Sequence, residues 1–459
     1  MKKSLFALAA LSAFATTAQA QSSVSIYGNL DATEAWTSSA ANKSVALTAS
    51  ANSTSLWGLT GSEDLGGGMK MGFDLKSEIN LTLGQTGSAS NTVPITAGNG
   101  PTAAGQGVAA NETGGGTTNL FNRGSNIFIS SVSLGEIKLG RMDDLEWAMG
   151  GNYSTSNSNS FGSNQGKAQI GNIQSAGLGY CNSSTAANAP IGLCGSAGQS
   201  AGNYSYMGSS DAFMTGISYS TPTFAGFTAK VQTGLGANSA LQGYGVGQQQ
   251  SAVLSYKGMG GNLDAGLGQT RRFDDQGLLG MTLTSLGLKY KVTPAITLTG
   301  YFATTSVSGP SYIPANAGAG TAAIPTTVPN SGVHGNDMWS LGVNYQVTPA
   351  FDVSLAYTNI QDNSNTTQTS VAYGTFTSAS NSVNMYGLTG RYALSKRTQF
   401  YGGVGQANNS GMFFMSPIYG GAAQTPIINQ AASAGGAAAN LNGMGANIFA
   451  AMVGLKHSF

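Results

Sequence analysis

Apolar and polar residues alternate along most of this chain with a period of two. From Met69 to Ile79, Met69, Met71, Phe73, Leu75 and Ile79 share one parity. Lys70, Gly72, Asp74, Lys76 and Glu78 share the other. Successive strand side chains point to opposite faces, so such a segment has one apolar and one charged face. The same pattern sets Trp339, Leu341, Val343, Tyr345 and Val347 against Ser340, Gly342, Asn344 and Gln346. It recurs with Phe351, Val353, Leu355 and Tyr357 against Asp352, Ser354 and Thr358. Helical periodicity is absent after residue 20.

Short and long connections take turns along the chain. Tight turns are expected at Glu63–Gly68, Leu134–Glu136, Thr221–Ala225, Gly258–Gly261, Thr293–Ala295, Thr348–Ala350 and Leu394–Arg397. Long polar stretches lie between them, at 34–52, 83–123, 142–209, 236–249, 272–280, 306–336, 361–382 and 409–446. Seven turns and eight loops separate sixteen strands. Short turns on one side, long loops on the other and an even strand number predict an all-β fold, a 16-stranded antiparallel transmembrane β-barrel. Closure removes the sheet edges, which lipid cannot satisfy. At the chain end Phe449, Ala451, Val453, Leu455, His457 and Phe459 share one face, and the aromatic residues suit an interfacial girdle.

Composition excludes other classes. Charged residues are 8% of the chain and Gly is 67 of 459, while 18 Tyr, 18 Phe and 4 Trp supply apolar area. An ordinary soluble domain carries about 25% charged residues. Residues 1–20 read as a signal peptide: Lys2 and Lys3, an apolar core from Leu5 to Phe14, and the small-x-small site Ala18-Gln19-Ala20. The apolar core is half the roughly 20 residues of a spanning helix. Residues 21–459 are then the barrel. Without Lys2 and Lys3, 17 basic residues face 18 acidic ones, a net charge of −1. No basic patch suggests nucleic acid. Cys181 and Cys194 lie in a Ser/Asn/Gly-rich stretch, and in an exported chain a disulfide between them is expected, with two free thiols the alternative.

Several stretches resemble the trimeric general porins of the beta-proteobacterial type. Ser22-Ser-Val-Ser-Ile-Tyr-Gly-Asn-Leu-Asp31-Ala is similar to that family's first strand. Trp57-Gly-Leu-Thr-Gly-Ser-Glu-Asp-Leu-Gly-Gly-Gly68 is similar to its second strand and first turn. Leu134-Gly-Glu-Ile-Lys-Leu-Gly-Arg141 resembles the strand leading into the constriction loop. Tyr386-Gly-Leu-Thr-Gly-Arg-Tyr-Ala-Leu-Ser-Lys-Arg-Thr398 and Val453-Gly-Leu-Lys-His-Ser-Phe459 complete the match. The resemblance implies a homotrimer in the outer membrane of a Gram-negative bacterium, with a third loop, here 142–209, folded into each lumen. It implies passive diffusion of small hydrophilic solutes and ions, with lipid around the barrel and no cofactor.

Within that frame Asp31, Asp74, Lys76, Asp143, Asp144, Glu146 and Lys230 are the constriction candidates. The chain departs from the family in strand two, where Leu56 and Thr60 stand at positions the family usually fills with arginine. The remaining lumen-parity basics are Lys70, Lys76, Lys138, Lys230, Lys289, Lys291 and Arg391, so only a mild ion preference is expected. The faces of Arg123 and Arg141 stay open, because Ile127 and Phe128 are adjacent apolars. An enzyme is not expected. Only His334 and His457 are present, in an outer loop and on the lipid side by position and parity, without a carboxylate at motif spacing. A structural or adhesive surface barrel is the alternative function, since the long loops suit it too.

Overall fold

The computed structural model describes residues 23–39, 43–82, 84–86, 120–156, 160–161, 213–234, 249–273, 280–308, 334–362, 367–370, 374–377, 382–410, 417–418 and 447–459. Sixteen antiparallel strands close a barrel. In chain order they are β1 (Ser23–Ser39), β2 (Leu56–Gly66), β3 (Met69–Asn80), β4 (Gly124–Ser131), β5 (Gly135–Asp143), β6 (Phe213–Ser220), β7 (Phe227–Gly234) and β8 (Gln249–Gly258). The circuit continues through β9 (Leu263–Phe273), β10 (Gly280–Lys291), β11 (Ile296–Ser308), β12 (His334–Thr348), β13 (Phe351–Asp362), β14 (Ser382–Ala393), β15 (Thr398–Ser410) and β16 (Ile448–Ser458). Each pairs with its sequence neighbours, and β1 closes the ring on β16 from Asn29↔Ser458 to Ser39↔Ile448. No helix among the described residues is long and apolar enough to cross a membrane.

The alternation read from the sequence sets the two faces. Val24, Ile26, Leu254, Leu286, Leu341 and Leu355 are well exposed on the outside. Ser251, Ser285, Ser340, Ser354 and Thr358, on the opposite parity, are buried inside. Outward aromatics cluster on neighbouring strands. Trp339 and Tyr357 rings lie 4.9 Å apart, Tyr357 and Tyr386 5.0 Å apart. Tyr290, Tyr345 and Tyr392 mark the short-turn rim. The first turn shows why glycine is required there: Gly66, Gly67 and Gly68 all have positive φ, at 79°, 62° and 77°.

The structure differs from the sequence reading in three connections. The stretch 34–52 is not a free loop: β1 runs on to Ser39, and Lys43–Ala49 folds back beside it from Ser38↔Lys43 to Ala32↔Ala49. Its alternation, with Val45 and Leu47 outward, is too short to separate from a polar loop by pattern. Within 361–382, Thr367–Ser370 and Gly374–Thr377 form a separate hairpin. His334 begins β12 rather than lying in a loop. The parity of β4 is also resolved. Ile127 and Ile129 are exposed outside, whereas the ring of Phe128 lies inside, against Gly72 and 5.8 Å from Lys138 Nζ.

Candidate pore constriction

The segment after β5 turns into the barrel and is fastened to the inner wall. Asp144 caps helix α1 (Leu145–Asn152), its Oδ1 accepting from the backbone N–H groups of Glu146 and Trp147. Its Oδ2 accepts from Gln249 Nε2 and from Ser251 Oγ on β8. Gln232 on β7 grips the same corner, donating to the Asp143 carbonyl and accepting from the Leu145 N–H. Farther along, Ser285 Oγ donates to Glu146 Oε2 at 2.6 Å, and Tyr153 OH to Asp264 Oδ1 at 2.8 Å. Thr155 and Thr299 hydroxyls lie 2.7 Å apart, Arg391 donates to the Ser156 carbonyl, and Ser160 Oγ donates to the Ala51 carbonyl.

Glycines on the lumen parity make room for this segment. Tyr153 sits over Gly266 and Gly287, Glu146 and Met149 over Gly268, Thr155 over Gly342, and Phe161 over Gly387, Gly403 and Gly405. A Cβ at any of these would occupy space the loop side chain already fills. The described residues of the loop, 144–156 and 160–161, therefore follow the wall from β8 to β15. Its lumen-facing side carries the exposed Asp143, Ala148 and Asn152.

Of the seven candidates, three converge. Lys76 Nζ is 3.5 Å from Asp74 Oδ2 and 3.3 Å from Asp143 Oδ2. Tyr27 on β1 donates its hydroxyl to Asp74 Oδ1 at 2.5 Å. Tyr27 was legible, since Val24 and Ile26 set the outward parity of β1, but it carries no charge to draw notice. Lys230 is exposed on the lumen side of β7, two residues below Gln232.

The other three candidates are buried and bind parts of the wall together. Asp31 is 0% exposed; it takes a hydrogen bond from Tyr401 OH and accepts the Asn52 and Ser53 N–H groups at 2.8 and 2.7 Å. Asp144 is 0% and Glu146 2% exposed, both turned to the wall rather than the lumen. Burial, reinforced by the nearby Asp144, pushes the Glu146 carboxyl up to about 8 against the smaller opposing effect of the Ser285 hydrogen bond. Among the described residues its Oε1 has no hydrogen-bond partner. The helix turn decided this: an acid run read as a charged loop face is split by α1 into one exposed and two wall-facing residues.

Among the remaining basic residues, Arg123 is buried against Glu78 at 2.7 Å and Arg141 Nε donates to the Asn122 carbonyl at 2.6 Å. Arg391 is clamped to Asp352 at 2.6 Å. Lys257 and Lys456 also belong to the lumen parity and were passed over in the sequence. Lys456 sits across from Asp31. Cys181 and Cys194 lie outside the described residues.

The chain matches the family described as Gram-negative porin over residues 7–412. It is 48% identical over 92 residues to outer membrane porin protein 32 of Delftia acidovorans; that stretch is 20% of this chain and 25% of the relative. Its structure is similar to the anion-selective porin from Comamonas acidovorans, with a TM-score of 0.61 and 21% identity over 96% of this chain and 100% of that one. It also resembles the outer membrane protein OmpT of Vibrio cholerae in a trimer form, with a TM-score of 0.52 and 11% identity over 95% of this chain and 99% of the other. The closed barrel, its polar inner wall, its inward third connection and the match over most of the chain agree: this protein belongs to the Gram-negative porin family.

Proposed function

We propose that the chain is a general diffusion porin of the outer membrane, a water-filled channel through which small hydrophilic solutes and ions pass passively. The observation that carries this reading is the course of the third loop. Its described residues, 144–156 and 160–161, lie along the β8–β15 wall and keep their fastening groups, Asp144, Glu146, Tyr153 and Thr155, turned to that wall. Beside it Asp74, Lys76, Asp143 and Tyr27 form the charged edge of the path, while Lys230 on β7 stands apart, across β6 from Glu136. Two carboxylates against one ammonium leave this edge at −1, which supports a mild preference for cations. Reconstitution into planar bilayers tests the reading: stepwise, ohmic conductance with a small cation-favouring reversal potential in a salt gradient is expected. A chain that folds and inserts without conducting overturns it.

The assembly in this reading is a homotrimer. The outer surface supports a protein contact around β1. Glu34, paired with Val453 midway along the β1–β16 seam, has the outward parity of Val24 and Ile26 and is exposed. A carboxylate on a lipid-facing strand is unfavourable, so a partner surface there relieves a cost. The tyrosine rims of β10 to β14 have no counterpart on β1 to β5, whose outward positions carry Trp36, Trp57 and Phe73 but no tyrosine. Cross-linking in detergent should give a three-chain product. Removal of residues 1–20 on export belongs to the same reading and is checked by N-terminal sequencing, which should begin at Gln21.

A further inference from the structure

Most basic side chains on the lumen wall have a carboxylate of their own. Lys76 has Asp74 and Asp143, Lys138 has Glu136 at 3.5 Å, Arg391 has Asp352, and Lys456 has Asp31 as its cross-strand neighbour. Lys230 has no acid opposite it, and one place gathers several lysines around a single acid. On β8, β9 and β10, Lys257 stands beside Asp264, and Asp264 beside Lys289, with Lys291 next on the same face. Directly opposed positions are about 5 Å apart and same-face neighbours about 7 Å. Lys257 Nζ is 3.6 Å from Asp264 Oδ2, and Lys289 feels the charges of Asp264, Lys257 and Lys291 together. Asp264 is also engaged by the Tyr153 hydroxyl. Three ammonium groups thus share one carboxylate among the described residues, a local charge of +2. They stand at the short-turn rim, Lys257 just before the 259–261 turn and Lys291 just before the 292–295 turn.

We infer that Lys257, Lys289 and Lys291 form a docking pad for small divalent oxyanions, of the chemical class of inorganic phosphate, at the periplasmic mouth of the channel. Lysine is a compact point charge with three N–H donors on a flexible stem, so three of them converge on one tetrahedral oxyanion without a preformed fork. Lys257 and Lys291 are solvent-exposed, which keeps binding weak and exchange fast, as a solute in transit requires. The charges that neighbour the pad are Asp264 within it and, on the adjacent strand β7, Lys230; no further carboxylate of β7 to β11 among the described residues faces it. At 0.15 M salt the field of the pad reaches only about 8 Å, so it acts on solutes at the mouth and not on the Asp74–Lys76–Asp143 edge.

The inference rests on the channel reading, and one experiment separates their failures. The full chain is reconstituted in planar bilayers in low potassium chloride, and inorganic phosphate is added to each face in turn at constant potassium. The expected result is a saturating reduction of chloride current by phosphate. The variant K257Q/K289Q/K291Q should raise the half-effective phosphate concentration at least about tenfold, since each lost bond to a charged group weakens binding by that order. K138Q, whose lysine is paired with Glu136, should leave it unchanged. Chloride current that ignores phosphate, or a phosphate effect the same in the triple variant, overturns the pad while leaving the channel standing. Absence of any current from the folded wild-type chain overturns both.

Discussion

A single hydrogen-bonded acid shows how little a residue's charge says before its surroundings are known. Asp143 and Asp144 are neighbours in sequence, yet Asp143 is exposed beside Lys76 and Asp144 is 0% exposed as a helix cap. Neutralising Asp143 to Asn takes the Asp74–Lys76–Asp143 group from −1 to 0. The reversal potential in a salt gradient should move toward anions, most at low salt where screening is weak. Asp144→Asn should instead loosen the start of the loop. Glu146 makes a pH-dependent version of the same point. Its carboxyl is held near 8 in the docked loop, above its ordinary value of 4.5, so the docked state binds more protons than the released state between these limits. Docking is therefore firmest at acid pH, weakens as pH rises from about 4.5 to 8, and is level above that. The protection factors of the amides of residues 145–156, taken against the intrinsic exchange rate at each pH, should fall over that window in the wild type. In Glu146→Gln the amide stands in for the neutral acid, and the dependence should disappear; an unchanged slope would assign it to another group.

At the scale of elements, the third loop is held by shape as much as by hydrogen bonds. The lumen-parity glycines of β9, β10, β12, β14 and β15 form a track into which Tyr153, Thr155 and Phe161 settle. Each glycine is unremarkable alone, and in a chain with 67 of them the track cannot be told from turn glycines by composition. Gly287→Val places side-chain atoms where the Tyr153 ring lies and meets no backbone atom of the barrel among its nearest neighbours. The barrel should still fold, because the glycine is in extended backbone that valine favours. The loop should lift off the wall, and single-channel conductance should fall with more frequent closures. The turns and the strand parities other than that of β4 were legible, as was Lys257 from its place on the polar face of β8. The hairpin hidden in 34–52 and helix α1 were not. Each is short, and each is stabilised by contacts with a wall that exists only once the barrel closes.

For the molecule as a whole, the bilayer is the solvent that makes the pattern binding. Leu286 is 53% exposed, midway along β10 on the arc rimmed by tyrosines. Leu286→Arg should destabilise folding into lipid vesicles by about 2–4 kcal/mol, measured by denaturant titration of the reconstituted barrel. The same change at Ser285, on the lumen face, meets the loop instead and should alter conductance. A barrel indifferent to Leu286→Arg would reverse the assigned faces.

The sequence by itself determined the all-β class, sixteen strands, which side of most strands meets lipid, and where the turns fall; the face of β4 waited for the structure. These follow from local rules: a two-residue period, glycine at positive φ, and the demand that every backbone group in lipid be paired. The tertiary structure decided which charges face the solute path. Asp31, Asp144 and Glu146 went into the wall, Asp74, Lys76 and Asp143 came together from β3 and β5, and Lys257, Lys289 and Lys291 met across β8 to β10. Parity places a side chain inside or outside. Its height, its neighbours and its burial depend on strand stagger and on where the loop comes to rest, and those are properties of the closed barrel.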